Sequence, residues 1–422
     1  MKTLLHKTLS TLRHGTITLV DGDTSTRHGA ADADLHATVH VHDARFYREV
    51  ALGGSIGAGE AYMQGWWSTD HLTTLMRILV RNLHAVDDME GGFARLAAPL
   101  RRFTHWLNAN SRRGSRRNIA AHYDLGNEFF ALFLDPSMMY SSAIFEDPAM
   151  SLEEAQAVRL DTICRKLDLG PGDHLLEIGT GWGGMAIHAA RHYGCRVTTT
   201  TISRRQHELA TERVAAAGLS GRVTLLLEDY RDLRGSYNKL VSIEMIEAVG
   251  HDYYDTYFAR CASLLRPGGL MLLQAITIAD QRYESARRAV DFIQRYIFPG
   301  SCIPSITAMA QSITRSSPLR MLDLEDIGPH YATTLAHWRR NFLRNLDAVR
   351  GLGYPERFIR MWEFYLCYCE AGFAERALGD VHLLLARPPL PAHALRQPVS
   401  RMRKAATRPV SAISASTSAA RR

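Results

Sequence analysis

The chain has 422 residues, 46% of them hydrophobic and 22% charged, which is typical of a globular protein with material for two or three domains. No apolar run is long enough to span a bilayer, and the N-terminal stretch lacks the continuous apolar segment of a signal peptide. Its six cysteines are irregularly spaced, which excludes a disulfide framework and a CxxC-type metal site. We therefore expect free thiols, a cytoplasmic location and no bound metal.

The net charge of +7 is concentrated in two basic stretches. Residues 101–117 contain six arginines and no acid, and residues 381–422 contain eight lysines or arginines and no acid. Such stretches are either a solvated linker and tail or a contact for an anionic membrane surface. Nucleic acid is the less favoured partner, because most of this charge lies outside the predicted catalytic domain.

Three compositional regions follow one another along the chain. Residues 1–118 combine short alternating stretches with a helical pattern at 71–83 and end in the arginine-rich linker, which predicts a small α+β domain. Residues 119–388 alternate strand and helix patterns, the signature of an α/β domain with a parallel sheet covered on both faces. Residues 389–422 are rich in Ser, Ala, Pro and Arg, so we expect a disordered basic tail. The strands predicted in the second region are 174–179, 196–202, 222–229, 239–246 and 269–277.

A glycine-rich turn follows the first of these strands, in the sequence LLEIGTGWGG (175–184). Gly179, Gly181 and Gly183 permit a tight turn and let a ligand approach the backbone beside the N-terminus of the next helix. The spacing is GxGxG rather than the GxGxxG of dinucleotide enzymes, and the second strand ends without an acid. Glu177 suits a cationic amino group or a polar sugar. The pattern favours S-adenosylmethionine, with the glycine turn of another α/β enzyme as the alternative.

Two later patterns agree with this interpretation. Asp229 and Tyr230 follow the third predicted strand, where a carboxylate can accept from an adenine amine and a ring can cover the base. The stretch LLRPGGLMLL (264–273) predicts a helix, a Pro-Gly-Gly turn and a buried strand, as in the late part of a methyltransferase sheet. Each pattern is weak alone, and their shared order and spacing support a methyltransferase.

Nine stretches resemble, in order, the cyclopropane-fatty-acyl-phospholipid synthase family, whose members use S-adenosylmethionine to modify double bonds of membrane lipids. The similarity covers nearly everything from about residue 50 to residue 388. The stretches are GSIGAGEAYMQGWW (54–67), HYDLGNEFF (122–130), MMYSSAIF (138–145), LLEIGTGWGG (175–184), TISRRQ (201–206), EDYRD (228–232), IEMIEAVG (243–250), YIFPGSCIPS (296–305) and HYATTLAHW (330–338).

The resemblance implies a cofactor site and, beside it, a bound bicarbonate ion that takes the proton. Glu247 and Tyr331 match the family's glutamate and tyrosine at that ion, and Ile276 matches a backbone contact. Cys369 matches a cysteine assigned to the family's active site, although methyl transfer to an alkene needs no nucleophile of this kind. The residues implied for S-adenosylmethionine are Tyr140, Ser141, Leu175, Leu176, Glu177, Ile178, Gly179, Thr180, Gly181, Trp182, Gly183, Thr201, Ile202, Ser203, Gln206, Asp229 and Tyr230.

Three positions depart from the family's pattern. Ser142 stands where most members have cysteine, Gln274 where they have histidine, and Ala248 where a histidine commonly follows the glutamate. Bicarbonate needs hydrogen-bond donors, and we expect the Gln274 amide and the backbone N–H or hydroxyl of Ser142 to supply them. The anion site is then retuned rather than abolished.

These observations lead to the hypothesis of a peripheral-membrane C-methyltransferase. Its N-terminal domain engages lipid, and its Rossmann-like class I methyltransferase domain forms a cyclopropane on the cis double bond of a phospholipid acyl chain, with bicarbonate as the base. We expect it at the anionic inner surface of the membrane, with a homodimer left open. The alternatives are a methyl-branched or methylene product, a small-molecule methyltransferase, and a non-catalytic lipid-binding protein.

Overall fold

The structure is a computed structural model that describes residues 1–83 and 125–390. The arginine-rich stretch at 101–117, the predicted boundary between residues 118 and 119, and nearly all of the predicted tail at 389–422 lie outside the described residues. Two β-sheets with their helices make up the described part. None of its helices combines the length and the apolar character that crossing a membrane requires.

The N-terminal elements form a small sheet flanked by helices, as predicted. The helix predicted at 71–83 is confirmed, and its Leu72, Leu75 and Met76 are buried. The elements are α1 (Lys2–Leu9), β1 (Thr16–Asp21), β2 (Thr24–Gly29), β3 (His36–Val41), α2 (Arg45–Met63), β4 (Trp67–Thr69) and α3 (Leu72–Arg81). The strand order is β2-β1-β3-β4, with β1 and β3 parallel and the outer pairs antiparallel.

The remaining elements build a seven-stranded sheet with helices on both faces. Its first part contains α4 (Asn127–Ala131), α5 (Leu152–Lys166), β5 (His174–Ile178), α6 (Gly184–His192), β6 (Arg196–Thr200), α7 (Arg204–Ala216), β7 (Val223–Leu226) and β8 (Tyr237–Ile243). Its second part contains α8 (Tyr254–Leu264), β9 (Leu265–Ile278), α9 (Asp280–Ala286), α10 (Phe292–Tyr296), α11 (Ile306–Ser316), β10 (Arg320–Asp326), α12 (Gly328–Arg344), α13 (Leu346–Gly351), α14 (Glu356–Ala374) and β11 (Leu378–Ala386).

All five predicted strands are present, and they pair in parallel as β9-β8-β5-β6-β7. The complete order is β10-β11-β9-β8-β5-β6-β7, in which β11 runs antiparallel to both of its neighbours. The sequence did not predict β10 and β11, because Asp380 and His382 interrupt the apolar pattern of β11. The Rossmann-like class I methyltransferase fold is confirmed, with an antiparallel pair at one edge.

Helix α14 connects the two sheets. It packs against α2 and α3 on one side and against α12 on the other. Polar contacts hold the junction: Arg77 and Arg81 donate to Glu375 at 2.6 and 2.7 Å, and the Tyr62 hydroxyl donates to Glu363 at 2.9 Å. One hydrophobic core therefore runs from the first sheet into the helices of the second.

We expect Gly57→Ala to destabilise the protein strongly. Helix α2 is kinked at Gly54, where φ is 57°, and the kink brings its second half against its first. A Cβ on Gly57 would lie 2.0 Å from the carbonyl oxygen of Glu49. Because backbone cannot move aside as a flexible side chain can, the unfolding free energy should fall by roughly 1–3 kcal/mol or more, measurable by thermal or denaturant unfolding.

Gly351→Ala is the matched control, because Gly351 also lies in a helix but has no atom within 4 Å of an added Cβ. It should leave the unfolding temperature unchanged or raise it slightly. Equal stability of the two variants would contradict the close approach at Gly57.

Candidate active site

The predicted glycine turn joins the C-terminal end of β5 to α6, where the strand order reverses. Strands β8 and β6 lie on opposite sides of β5, so the connections diverge and leave a crevice above the strand ends. Gly179, Gly181 and Gly183 have φ values of 104, 52 and 87°, which glycine adopts without strain. A Cβ on Gly184 would lie 2.6 Å from Sδ of Met139, so the segment around Met139 closes over the start of α6.

Glu177, near the end of β5, is the buried acid beside this turn. Its side chain lines the crevice, and its Oε2 has no hydrogen-bond partner among the described residues. Burial raises the pKa of Glu177 to about 8, against the opposing effect of a hydrogen bond from Thr199. An unpartnered carboxyl oxygen in such a place favours a cationic ligand. The turn and this acid together fit S-adenosylmethionine.

The loop after β6 and the first turn of α7 bring Thr201, Ile202 and Gln206 to the same crevice. The Thr201 hydroxyl donates to Oε1 of Gln206 at 2.8 Å, which fixes the amide beside the strand end. Ser203 has a different role, since its hydroxyl caps α7 by accepting from the Gln206 N–H at 3.3 Å. The polar side chains after β6 are uncharged, in agreement with the sequence, which has no acid at the end of this strand.

Asp229 and Tyr230 lie after β7 and line the crevice as well. Arg231 binds the Asp229 carboxylate through Nε at 2.8 Å and Nη2 at 2.6 Å. Tyr230 packs edge-on against Tyr257, with ring centroids 5.6 Å apart. The contact of Asp229 with adenine stays a prediction. The Arg231 guanidinium holds the Asp229 carboxylate in a fixed orientation.

A single cavity of about 590 Å³ connects the glycine turn with the first sheet. The N-terminal elements contribute an apolar part of its wall, including Leu9 of α1, Ile17 of β1, Val39 of β3 and Leu75 of α3. Its volume lies in the usual range for pockets that enclose a ligand. The cavity therefore belongs to both sheets, although sequence reasoning confined the site to the second.

Most of the residues predicted for the cofactor line this cavity. They are Tyr140, Ser141, Glu177, Ile178, Gly179, Thr180, Gly181, Trp182, Thr201, Ile202, Gln206, Asp229 and Tyr230. Leu175 and Leu176 lie fully buried within β5, while Gly183 and Ser203 are the N-cap residues of α6 and α7. These four residues do not line the cavity, but they belong to the strand and helix ends that form its wall.

Tyr140 and Ser141 line the same cavity. The Tyr140 hydroxyl lies 2.7 Å from that of Tyr365 on α14. The Ser141 carbonyl oxygen accepts from Nε2 of Gln156 at 2.8 Å, and its buried Oγ has no partner among the described residues. The segment is thus fixed by its backbone and by a tyrosine pair.

The predicted catalytic residues Glu247, Ile276 and Tyr331 meet at the cavity wall. Oε1 of Glu247 accepts from the Ile276 N–H at 2.6 Å, and its buried Oε2 has no partner within the described chain. Burial and the nearby Glu244 raise the pKa of Glu247 to about 8. The Tyr331 ring stacks on Phe373 with centroids 4.3 Å apart. This group joins a carboxyl, a backbone amide and a phenol on one side of the cavity.

Cys369 also lines the cavity, from α14. Burial raises the pKa of its thiol well above the ordinary value, and a nucleophile would need the opposite shift. Its position supports a packing role and agrees with the expectation that methyl transfer needs no thiolate.

Glu244 is the residue that sequence reasoning missed. It follows β8 directly, and its φ of 46° places it in the left-handed region. Its Oε1 accepts from the Ser142 N–H at 2.9 Å and from Nε2 of Gln274 at 2.8 Å, and its Oε2 accepts from the Tyr331 hydroxyl at 2.6 Å. The signal was present as a second acid, three residues before Glu247, at the end of a buried strand.

Gln274 is fully buried and lies behind the cavity wall. Its second amide hydrogen goes to Oδ2 of Asp380 at 2.9 Å, and its Oε1 lies 3.4 Å from Nη1 of the buried Arg159. Burial and the facing Glu244 raise the pKa of Asp380 well above its usual range. Burial also raises the pKa of Glu244, but its three donors and the charge of Arg159 favour the ionised form. Of the two acids, Glu244 has the larger number of donors, which favours its ionised form over that of Asp380.

The bicarbonate ion expected from the resemblance does not fit these residues. Three of its expected donors, on Ser142, Gln274 and Tyr331, already donate to Glu244, and the fourth, a backbone N–H, donates to Glu247. The Ser142 hydroxyl donates to a neighbouring backbone carbonyl. The expectation that Ser142 and Gln274 donate to bicarbonate is not met in this geometry, because the carboxylate of Glu244 accepts their hydrogen bonds.

Comparison with known proteins places this site in a family. The family model described as mycolic acid cyclopropane synthetase matches residues 110–383. The tuberculostearic acid methyltransferase UfaA1 of Mycobacterium tuberculosis is 42% identical over 385 residues, which cover 89% of each protein. The cyclopropane-fatty-acyl-phospholipid synthase of Escherichia coli K12 is 39% identical over 367 residues, which cover 85% of this chain and 89% of that protein.

Solved structures of cyclopropane synthases are also similar to this chain. The cyclopropane synthase MmaA2 from Mycobacterium tuberculosis aligns with a TM-score of 0.61 and 30% identity, over 64% of this chain and 98% of that chain. The mycolic acid cyclopropane synthase CmaA1 in complex with SAH and CTAB aligns with a TM-score of 0.60 and the same identity and coverage. The chain therefore belongs to the mycolic acid cyclopropane synthetase family, S-adenosylmethionine-dependent enzymes that methylate or cyclopropanate lipid acyl chains.

Proposed function

We propose that this enzyme transfers a methyl group from S-adenosylmethionine to the cis double bond of an unsaturated acyl chain in a membrane phospholipid. The cavity carries this proposal, since it begins at the glycine turn and continues between apolar side chains of the first sheet. A long apolar space joined to the cofactor site suits a hydrocarbon chain whose double bond lies beside the turn. A small polar substrate would leave most of that wall without a partner.

The residues around the cavity match the demands of this reaction. An alkene is a poor nucleophile, so the protein must hold it in a dry site against the electrophilic methyl group that bound S-adenosylmethionine supplies. Such positioning can lower the barrier by up to about 7–11 kcal/mol. Methylation leaves a carbocation on the acyl chain, and the rings of Tyr140 and Tyr331 on the wall can stabilise that charge.

Two products are compatible with this site. In the proposed cyclopropane product, the new methyl group loses a proton and the electrons of that C–H bond close the ring onto the cationic carbon. A methylene product is the second candidate: a hydride first moves from the methylated carbon to the cationic one, and proton loss then forms a double bond. The Gln274 and Ser142 departures and the 42% identity to a tuberculostearic acid methyltransferase favour this candidate.

We further propose that the N-terminal elements take up the acyl chain from an anionic membrane at the cytoplasmic face, with the enzyme peripherally bound. The apolar side chains that α1, β1, β3 and α3 contribute to the cavity wall support this role, because they suit contact with a hydrocarbon chain. The basic stretches at 101–117 and 381–422 would attract the lipid surface.

Lipid analysis of an expressing host tests the function. Phospholipids with unsaturated chains should gain the mass of one CH₂ group, in a reaction that requires S-adenosylmethionine in vitro. Upfield cyclopropane protons in the NMR spectrum would identify the ring, and olefinic CH₂ protons would identify the methylene product. An unchanged lipid profile with folded, cofactor-binding protein would contradict the proposal.

We expect Val39→Phe to shift the substrate preference toward shorter acyl chains. Val39 lies on β3 and lines the part of the cavity that the first sheet provides, so a larger side chain there shortens the space for hydrocarbon. Turnover on long-chain phospholipids should fall about tenfold or more relative to short-chain ones, for a barrier change of about 1.4 kcal/mol. Competition assays with mixed chain lengths measure this ratio.

Val41→Phe provides the control, because Val41 is buried on the same face of the same strand without lining the cavity. Both variants should lose a similar amount of stability through overpacking, about 1–3 kcal/mol. A chain-length shift of the same size in both would sink the assignment of this wall to the acyl chain.

A further inference from the structure

We propose that the carboxylate of Glu244 occupies the position expected for bicarbonate and serves as the enzyme's built-in proton acceptor. This inference rests on the proposed function, because it concerns the proton that the methylated acyl chain must lose. It makes the enzyme independent of a dissolved anion. The supporting observations are the donors around Glu244, its backbone conformation, its charge balance and its access to the cavity.

The donors converge on Glu244 as they would on a bound oxyanion. A backbone N–H, a side-chain amide and a phenol, from Ser142, Gln274 and Tyr331, donate at 2.9, 2.8 and 2.6 Å. They come from three separate parts of the chain, and the most distant of them is 102 residues from Glu244 in sequence. Such convergence from distant segments is the geometry of a built anion site, filled here by a side chain.

The backbone at Glu244 indicates that its side chain has a specific task. Its φ of 46° is a conformation that glycine adopts freely, whereas a residue with a side chain adopts it at a cost of about 1–2 kcal/mol. Strain of this kind concentrates at functional sites, where the surrounding contacts enforce it. The contacts that enforce it here are the three hydrogen bonds to the carboxylate.

The buried guanidinium of Arg159 balances the charge of Glu244. Arg159 is fully buried, and its positive charge favours the ionised forms of both Glu244 and Asp380. Gln274 lies between the two acids and donates one amide hydrogen to each. Because Asp380 has only that one donor and an unpartnered Oδ1 among the described residues, it is the acid that stays protonated. One negative charge at Glu244 then faces one positive charge at Arg159.

Glu244 also reaches the cavity. Its side chain is partly accessible and belongs to the cavity wall, beside Tyr331 and Glu247. A carboxylate offers about four lone-pair positions, and three are engaged, which leaves one for a proton. Glu247 is the weaker candidate, since burial and the neighbouring charge raise its pKa to about 8 and keep it mostly protonated at neutral pH.

The step is balanced without a further reactant. A C–H bond of the new methyl group breaks, its electron pair closes the ring or forms the methylene double bond, and the proton bonds to Glu244. The carbocation is thereby neutralised, and the carboxylate becomes a carboxylic acid. Loss of that proton to solvent, after product release, restores the starting state.

The test compares Glu244→Gly with Glu244→Gln in buffer freed of bicarbonate. Wild type should turn over at the same rate with and without added bicarbonate. Glu244→Gly removes the base and opens the donor cage, so turnover should fall about 100-fold or more and recover in part when bicarbonate is added. Glu244→Gln keeps the cage filled without a base, so it should show the same loss and no recovery.

Binding of ¹³C-labelled bicarbonate, followed by NMR, gives a readout that does not need turnover. Glu244→Gly should bind the label, and wild type should not. Wild-type turnover that depends on bicarbonate, label bound to wild type, or full activity of Glu244→Gln would overturn the inference. If no lipid is methylated by any form of the enzyme, the proposed function fails, and the binding experiment still decides whether Glu244 fills the anion position.

Discussion

The affinity of this enzyme for S-adenosylmethionine should rise up to about tenfold per pH unit below pH 8 and level off above it. The cause is Glu177, whose pKa is raised to about 8 by burial. Below that pH the carboxyl group is neutral, and it must release its proton before it can pair with a cationic ligand. Calorimetry at pH 7 in buffers of different ionisation enthalpy should detect about one proton released per cofactor bound.

Glu177→Gln should remove this pH dependence and weaken cofactor binding about 10–100-fold at pH 8, the usual range for a charged hydrogen bond. Glu212→Gln changes the same charge at an exposed position on α7 and should leave both quantities unaltered. A wild-type affinity that stays constant between pH 6 and 8 would refute the role of Glu177.

The unfolding free energy should fall as pH rises, whereas the cofactor affinity rises. Glu177 and Glu247 both have pKa values of about 8 in the folded state, above their ordinary value of 4.5. Between those limits the folded state binds more protons than the unfolded state, so the unfolding free energy of the cofactor-free protein falls as pH rises. Saturating cofactor should raise the unfolding temperature more at pH 8 than at pH 6, because the cofactor binds more tightly at pH 8.

Arg159→Met should be among the most destabilising single substitutions in the chain. The guanidinium is fully buried, where it donates to Gln156 at 2.8 Å and balances Glu244 and Asp380. Removing one partner of a buried charge group typically costs about 3–5 kcal/mol, because the remaining charge is left uncompensated. Chemical unfolding should show this loss, and it should grow with pH because the ionised form of Glu244 then lacks its balancing positive charge.

Arg165→Met on the same helix is the matched control. Arg165 is about one-third exposed and pairs with Asp161 at 2.9 Å, so its removal should cost no more than about 1 kcal/mol. Adding Glu244→Gln to Arg159→Met should recover part of the lost stability, because it removes the carboxylate whose charge Arg159 balances. Equal effects of the two arginine substitutions would contradict the buried charge balance.

The sequence predicted those strands, turns and helices that are encoded by patterns of neighbouring residues. The five parallel strands follow from short apolar runs bounded by turns, and the turn at 175–184 from its glycine spacing. Helix α3 follows from the spacing of Leu72, Leu75 and Met76. Strand β11 was missed because its buried Asp380 accepts a hydrogen bond from Gln274 on the neighbouring strand, a contact that no local pattern reveals.

The catalytic end of the site was predicted only in part, for a similar reason. The resemblance placed Glu247 and Tyr331 on the cavity wall, where the structure has them. It also led to the expectation of an external anion, because the family's donors were matched one by one and Glu244 was not. Which group these donors contact depends on a side chain that enters from a different strand.

Helix α14 has a consequence for how the chain is made. The first sheet is complete by residue 83, yet Leu75 and Val39 share their core with Phe364 and Phe373 of α14, near the end of the described chain. At translation rates of about 5–20 residues per second, the apolar face of that sheet waits on the order of tens of seconds for its partner helix. The nascent chain is therefore exposed to aggregation during synthesis, and its yield should respond to chaperones that hold the emerging N-terminal segment.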